Sequence, residues 1–382
     1  MKNIVGQTPR REDFFPRTSI INKLYRRLDS GSHIYISAPR RAGKTSIMRY
    51  LEDHPRENYT FLYISVEDIE DTEEYFEELS EELLRSKAVS RLVRTSESAK
   101  NLFEAFAERI KKVRFMGVEV ETQQQERSSY SKEFEQLMRD LDTTKVTIVL
   151  LIDEFPVALE RIAKLQSPDA AKEFLHLNRS IRQQAQHGIQ FIYTGSIGLP
   201  NIARQLDATA SINDLNMIEV PQLKRQEGQA FTEQLLKNYA VKYEEDVIGY
   251  MLDAIDWLMP FFIQLIVQML IDSHQDTGVP LNKETVDRVM EKASNHRNNI
   301  YFESYYSRLS KTLPQEEATV AKRILSHIAQ HKEAPLNAFD QEEGAQKVLE
   351  ILEFDGYIHS TKDFYRFNSP ILRNWWVKYA RD

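Results

Sequence analysis

At 382 residues the chain is longer than one ordinary domain, and its length suggests about two or three. Hydrophobic residues make up 41% and charged residues 28%, a globular balance, and a formal charge of −8 gives no overall attraction to nucleic acid or anionic lipid. With no cysteine, disulfides, thiolate metal sites and cysteine nucleophiles are excluded, which fits a reducing compartment such as the cytoplasm.

The opening stretch, Met1 to Pro16, is polar and carries no apolar run of the kind a secretory signal needs. Ser19 to Leu28 places Ile20, Ile21, Leu24, Tyr25 and Leu28 on one face of a predicted helix, ended by Asp29-Ser30-Gly31-Ser32. His33 to Ser37 is a short β-rich run, with His33 expected as a strand-edge residue. The segment Ala38-Pro39-Arg40-Arg41-Ala42-Gly43-Lys44-Thr45-Ser46 follows, and Ile47 to Leu51 opens the next helix. A second strand is predicted over Phe61 to Val66. Glu67 to Glu82 is acid-rich, with Tyr75, Phe76, Leu79 and Leu83 at helical spacing, the pattern of a solvated helix with one buried stripe.

Helical patterns run on through Ile110. Lys112 to Glu121 then alternates apolar and polar residues, which predicts a hairpin or edge strand. A helix over Tyr130 to Leu141 leads into Val146 to Ile152, a continuous apolar run expected of a central parallel strand buried on both faces. A helical stretch extends through Gln186, and Ile189 to Tyr193 is one more buried strand, ending at Thr194-Gly195-Ser196. Strands alternating with helices predict an α/β fold with a parallel sheet. Beyond Leu223 the pattern is almost purely helical up to Ser294. The most apolar stretch, Pro260 to Ile271, falls well short of the roughly 20 residues that span a bilayer, so no membrane contact is expected. From about Ile300 the chain reads helix, short helix, helix, a hairpin over Gly356 to Phe367 after a break at Lys332 to Pro335, and a closing helix. No linker or repeat separates these parts, so the domains are expected to pack on each other.

Ala38 to Thr45 fits the P-loop pattern with alanine in place of the first glycine. Such a loop wraps backbone N–H groups around phosphate oxygens with a helix N-terminus behind them. Gly43 permits close backbone approach, Lys44 brings a point charge to the β- and γ-phosphates, and Thr45 offers a hydroxyl to Mg²⁺. Ala38, Pro39, Arg40, Arg41, Ala42 and Ser46 complete the candidate cradle. Of Arg40 and Arg41, one is expected on phosphate and the other in an ion pair, in either assignment. Asp153-Glu154 follows the apolar strand directly, at the strand end where the crevice of a parallel sheet opens. Asp153 would hold Mg²⁺ through water, and Glu154 would orient or deprotonate the attacking water. The same pair also reads as a helix N-cap, with Pro156 just inside the helix.

Thr194 and Ser196 either sense the γ-phosphate through a hydroxyl or cap the next segment. By position, Arg179, Arg182 and Arg204 are the candidates for an arginine acting on a neighbouring subunit, each being otherwise an ordinary surface arginine. The nine histidines are scattered and no zinc site is expected, and no serine-centred nucleophile elbow occurs.

Four blocks together resemble the archaeal-type ATPases of the STAND branch of the AAA+ P-loop NTPases, related to origin-recognition ATPases. They are Ser37 to Met48, Leu151 to Phe155, Tyr193 to Ser196, and the ending Tyr365-Arg366-Phe367-Asn368-Ser369-Pro370-Ile371-Leu372-Arg373. Phe14-Phe15-Pro16-Arg17 is similar to that family's Phe-x-Gly-Arg segment, with Pro16 replacing glycine, which implies Arg17 near the adenine and ribose. Trp257 to Phe262 is similar to the Gly-x-Pro motif of the family's lid without its glycine, which implies Pro260 packed on the base. The resemblance implies an ATPase domain over 1–222, a helical lid over 223–299 and a winged helix over 300–382, with the region between Val66 and Val146 as an insertion. It implies ATP or ADP with Mg²⁺ as ligands, adenine being favoured further by the lack of an Asn-Lys-x-Asp run.

Three functions follow. A nucleotide-dependent switch would hydrolyse ATP slowly and be read by a protein partner or by self-association. A DNA-acting ATPase (a loader, or a transposition- or defence-associated factor) would use the winged helix on duplex DNA. That region carries Lys322, Arg323, Lys347, Lys362, Arg366, Arg373, Lys378 and Arg381, but its acids are about as many, and Glu343 to Leu352 is acidic. A scaffold would bind ATP without hydrolysing it.

Overall fold

The computed structural model describes residues 1–93, 97–116, 130–185 and 187–380. The chain forms two compact units. One comprises Pro16–Ser37 and Ile47–Glu219, and the other Met1–Phe15, Ala38–Ser46 and Val220–Asp382.

The first of these is built on a five-stranded sheet of β1 (His33–Ser37), β2 (Tyr59–Ser65), β3 (Thr147–Asp153), β4 (Ile189–Thr194) and β5 (Leu215–Glu219), all parallel, in the order β2-β3-β4-β1-β5. β4 is buried along its whole length and β3 in all but its first residue, as their unbroken apolar runs require. Because the strands are parallel, the loops after β1, β3 and β4 all leave by the same edge. The edge strand β5 has no counterpart in the sequence reading. Only Ile218 of its Leu-Asn-Met-Ile-Glu is buried, so it lacks the apolar run that marks its neighbours.

Helix α1 (Thr18–Asp29) buries Ile20, Ile21, Leu24, Tyr25 and Leu28, the stripe read from the sequence. Helix α2 runs over Lys44–Asp53, and α3 (Thr72–Arg85) starts at Asp71, whose side chain accepts a bond from the Glu74 N–H. The acids of α3 stay outside a buried stripe of Tyr75, Phe76, Leu79 and Leu83. Helices α4 (Lys87–Val93) and α5 (Glu97–Met116) follow.

Here the structure corrects the expected strand over Lys112 to Glu121. Residues 112–116 are the last turn of α5, and 117–121 lie outside the described residues. The run up to Met116 is rich in Ala, Glu, Lys and Arg and free of Gly and Pro, so helix propensity overrides a brief two-residue alternation. Helix α6 (Tyr130–Asp140) precedes β3. The predicted stretch through Gln186 is two helices, α7 (Phe155–Leu165) and α8 (Pro168–Gln184), while Gln186 itself lies outside the described residues. Ser167 separates the two, its side chain accepting from the Ala170 N–H. Helix α9 (Leu199–Gln205) completes the unit.

In the other unit, α10 (Arg225–Asn238), α11 (Val247–Ile255), α12 (Pro260–Thr277) and α13 (Lys283–Ala293) form a helical group centred on α12, whose first two-thirds are mostly apolar. They are followed by α14 (Asn299–Thr312), α15 (Gln315–His331), β6 (Glu333–Pro335), α16 (Ala345–Phe354), β7 (Ile358–Ser360), β8 (Phe364–Phe367) and α17 (Pro370–Tyr379). The three strands form an antiparallel sheet in the order β6-β8-β7, so the break predicted at Lys332 to Pro335 is in fact a paired strand. Tyr305, Tyr357, Trp375 and Trp376 are buried together in this region. Among the described residues no helix is long and apolar enough to cross a membrane.

Candidate functional site

The loop after β1 turns into α2 through two residues with positive φ, Arg41 at 64° and Gly43 at 88°. Glycine reaches that region freely, whereas arginine there costs roughly 1–2 kcal/mol, so contacts must hold Arg41 in place. The Arg41 guanidinium lies 3.9 Å from the ring centre of Phe261 on α12, and 5.5 and 5.9 Å from those of Tyr301 and Tyr305 on α14. Burial lowers its pKa from the usual arginine value. Arg40 donates to the Ser304 carbonyl at 3.4 Å. Among the described residues, neither arginine of the loop forms the ion pair expected for one of them: Arg40 sits on a carbonyl beside the Tyr305 ring, and Arg41 in an aromatic cage.

Pro39 packs on the turn after α16. A Cβ on Gly356, whose φ is +79°, would come within 2.5 Å of the Pro39 Cβ. Lys44 is 7% exposed, and its Nζ donates to the carbonyls of Ala38 at 2.9 Å and Pro39 at 3.1 Å, which curls the loop around its ammonium group. Asp355, next to Gly356, pairs with Arg308 at 3.4 Å. Burial raises the Asp355 pKa, opposed by the charges of Arg308 and then Lys44. Pro260 opens α12 beside Phe261, at the first helical turn where proline is tolerated.

The carboxylates belong to the sheet unit. Asp153 ends β3 and is 3% exposed. Its Oδ2 accepts from the Tyr63 hydroxyl at 2.8 Å and its Oδ1 from the Glu154 N–H at 3.1 Å. Tyr63 comes from β2, where it pairs with Leu151, and the Arg49 guanidinium stacks 3.3 Å from its ring centre. Burial raises the Tyr63 pKa, and the neighbouring Asp153 charge raises it further. Glu154 is left-handed, φ 61°, so its side chain leaves the strand direction as α7 begins. Its Oε2 accepts from the Ser196 N–H at 2.8 Å, joining the ends of β3 and β4. Gly195 makes this approach available, because a Cβ there would be 2.5 Å from Pro156 Cδ. Thr194 donates its hydroxyl to the Ile36 carbonyl of β1 at 3.4 Å, so the Thr194 side chain ties β4 to the P-loop strand.

Asp153, Glu154 and Ser196 are therefore brought together, with Ser196 contributing its backbone. Arg17 is buried in the same unit, where its carbonyl accepts from the Ile20 and Ile21 N–H groups at the start of α1. Of the three arginines considered for a neighbouring subunit, Arg182 is committed inside. Its side chain is 1% exposed and bonds both oxygens of Asp214, at 2.7 and 2.8 Å, the Ser211 carbonyl and the Tyr193 hydroxyl. Arg204 is exposed, and Arg179 is half-buried on α8. His33 begins β1, an interior strand, and is held on both ring nitrogens.

Sequence reasoning did not find Tyr63, Arg49, Phe261 or Asp355. Tyr63 carries a weak signal, since its position two residues before the end of β2 puts it level with the end of β3. Asp355 has none, because a residue more than 300 positions from Lys44 comes near it only through the fold.

The fit of the inferred ligands can be tested on these contacts. The positive-φ residues, the helix start at Lys44 and the ammonium group form a cradle for an anion. Among the described residues, no three carboxylate or imidazole side chains converge to cage a metal by themselves. Asp153, whose two oxygens accept from the Tyr63 hydroxyl and the Glu154 N–H, is an oxygen donor of the kind a magnesium ion takes.

Residues 26–203 match the model of a protein family described as the AAA domain. The chain is similar to a Walker-type ATPase of Pyrococcus abyssi, with a TM-score of 0.64, 17% identity, and 98% of this chain and 99% of that one covered. It is also similar to the ORC2 protein of Aeropyrum pernix in ADPNP–ADP complexes, with a TM-score of 0.54, 13% identity, and 96% and 95% covered. No curated protein matches by sequence. The chain thus has a P-loop AAA+ fold, a parallel five-stranded sheet with helices followed by a largely helical C-terminal region.

Proposed function

We propose that this AAA-type P-loop protein is a nucleotide-dependent switch that binds ATP and hydrolyses it to ADP and phosphate with Mg²⁺. The observation that carries the reading is the place of the P-loop. Residues 38–46 pack with the C-terminal unit through Pro39 on Gly356, Arg40 on Ser304 and Arg41 on Phe261. A ligand gripping the loop therefore acts on α12, α14 and the turn after α16.

In this reading Lys44 and the loop amides bind the phosphates, with Ala38 to Ser46 as the cradle. Thr45 and Asp153 hold Mg²⁺, which supplies charge neutralisation on the phosphate oxygens. Glu154 takes a proton from, or orients, the attacking water. Its carboxylate is set by the Ser196 N–H, and that bond must lengthen or be shared when water docks. Arg17 and Pro260 are assigned to the base and ribose on the family resemblance. The divisions 1–222, 223–299 and 300–382, and the reading of α15, α16 and the β6-β8-β7 sheet as a winged helix, are part of the same proposal. So is a cytoplasmic location, where ATP is supplied.

The DNA-acting alternative is less well supported. Lys347 is paired with Glu317, Arg366 with Glu333 and Arg323 with Glu342, so much of the basic charge of that region is already matched. A protein partner or self-association fits this balanced surface better.

The first test is the nucleotide content of the purified protein, read by denaturing it and separating the supernatant by ion exchange. Retained ADP supports the switch. Lys44→Ala should lose nucleotide, while Glu154→Gln should keep it and lose turnover by about 100-fold or more. Normal hydrolysis by Glu154→Gln would sink the assignment of the base.

A further inference from the structure

Arg41 lies inside the P-loop yet points its charge at aromatic rings. The Phe261, Tyr301 and Tyr305 rings surround the guanidinium at 3.9, 5.5 and 5.9 Å. A ring face attracts a cation but accepts none of the guanidinium's five N–H groups with the strength of an oxygen. The Arg41 Nη1 is buried and makes no hydrogen bond among the described residues. A planar cation with an unsatisfied donor is matched best by the paired oxygens of a phosphate. The loop itself offers that second seat, because Gly43 and Lys44, two and three residues further on, begin the anion cradle. Its neighbour Arg40 donates to the Ser304 carbonyl and lies 6.0 Å from the Tyr305 ring centre, whereas the contacts with Phe261 and Tyr301 belong to Arg41.

We propose that Arg41 has two seats, the aromatic cage of α12 and α14 and the phosphates of a bound nucleotide, and that its exchange between them couples nucleotide occupancy to these helices. This rests on the nucleotide reading above and goes beyond it by naming the side chain that carries the signal. The seats compete for one guanidinium. Weakening the cage favours the phosphate seat, whereas deleting Arg41 removes the phosphate contact. The two kinds of substitution therefore shift nucleotide affinity in opposite directions, a pattern that a merely structural arginine does not give.

The experiment titrates fluorescent mant-ADP into the full chain as wild type, Arg41→Ala, Phe261→Leu and Tyr301→Leu. The Tyr301 variant covers the event that Phe261→Leu fails to fold, since Tyr301 is only half-buried. Phe261→Leu or Tyr301→Leu should tighten binding by about 5-fold, the factor expected from one partly desolvated cation–π contact, and Arg41→Ala should weaken it. Amide hydrogen exchange in residues 299–312 should respond to ADP in the wild type and cease to respond in Arg41→Ala. Shifts of the same sign in the cage and Arg41 variants, or an α14 response that survives in Arg41→Ala, overturn the two-seat inference alone. A wild type that binds no mant-ADP overturns the nucleotide reading and this inference with it.

Discussion

Replacing His33 with glutamine should remove most of one acid-sensitive component of this protein's stability. His33 is the first residue of β1, the strand that leads into the P-loop. Its Nδ1 faces the Phe191 N–H at 3.3 Å, and since an N–H can only donate, Nδ1 must be the unprotonated acceptor. The proton is then on Nε2, which donates to the Arg182 carbonyl at 3.1 Å. Protonating Nδ1 would set two donors against each other, near the Arg182 cation with Asp214 beyond it. Burial first, and the Arg182 charge second, lower the His33 pKa to about 4 from 6.5.

The folded-state value is the lower one, so the contribution is complete above the unfolded pKa and is lost as pH falls towards the folded one. By about pH 4.5 the unfolded chain has bound a proton that the folded chain has largely refused, a loss of about 2.5 kcal/mol. Urea unfolding of both proteins between about pH 7.5 and about pH 4.5 gives the difference, in which the titration of other groups largely cancels. The wild-type imidazole resonance, absent from His33→Gln, should titrate near the same low pH. Profiles parallel to within about 0.5 kcal/mol, or a resonance titrating at the ordinary histidine value, would refute the reasoning.

Two further outcomes test the carboxylate site. Tyr63→Phe deletes the hydroxyl that fixes Asp153 Oδ2 and should raise the Mg²⁺ concentration for half-maximal turnover by about 10-fold, with metal-free nucleotide affinity unchanged. An unmoved Mg²⁺ dependence would show that Tyr63 does not position Asp153. Gly195→Ala drives a methyl group into Pro156, whose ring cannot rotate away, and should cost about 1–3 kcal/mol of stability while parting the Ser196 N–H from Glu154. Turnover should then fall more than mant-ATP affinity, and equal losses of both would mean that the Ser196 contact does not set the geometry of Glu154.

The sequence by itself determined four of the five sheet strands and the two motifs that follow β1 and β3. β3 and β4 are buried on both faces, so their unbroken apolar runs announce them, and the P-loop is legible because Gly43, Lys44 and Thr45 are neighbours in the chain. The buried stripes of α1 and α3 are equally local. β5 was not legible, because an edge strand needs only Ile218 inside and gets its hydrogen bonds from β1. The expected strand at 112–116 yielded to a helix that the preceding fifteen residues had already set in motion.

Only the tertiary structure decided what the loop arginines do. Arg41 and Phe261 are more than 200 residues apart, and their meeting depends on how α12 and α14 pack. The same holds for Tyr63 on Asp153, and for Arg182 of α8, which reads from the sequence as a surface cation and is buried by four bonds to β4 and the segment before β5. Periodicity and loop motifs arise from neighbours in the chain and so are written there. Charge pairing and ring stacking between distant elements exist only once the core has brought them together.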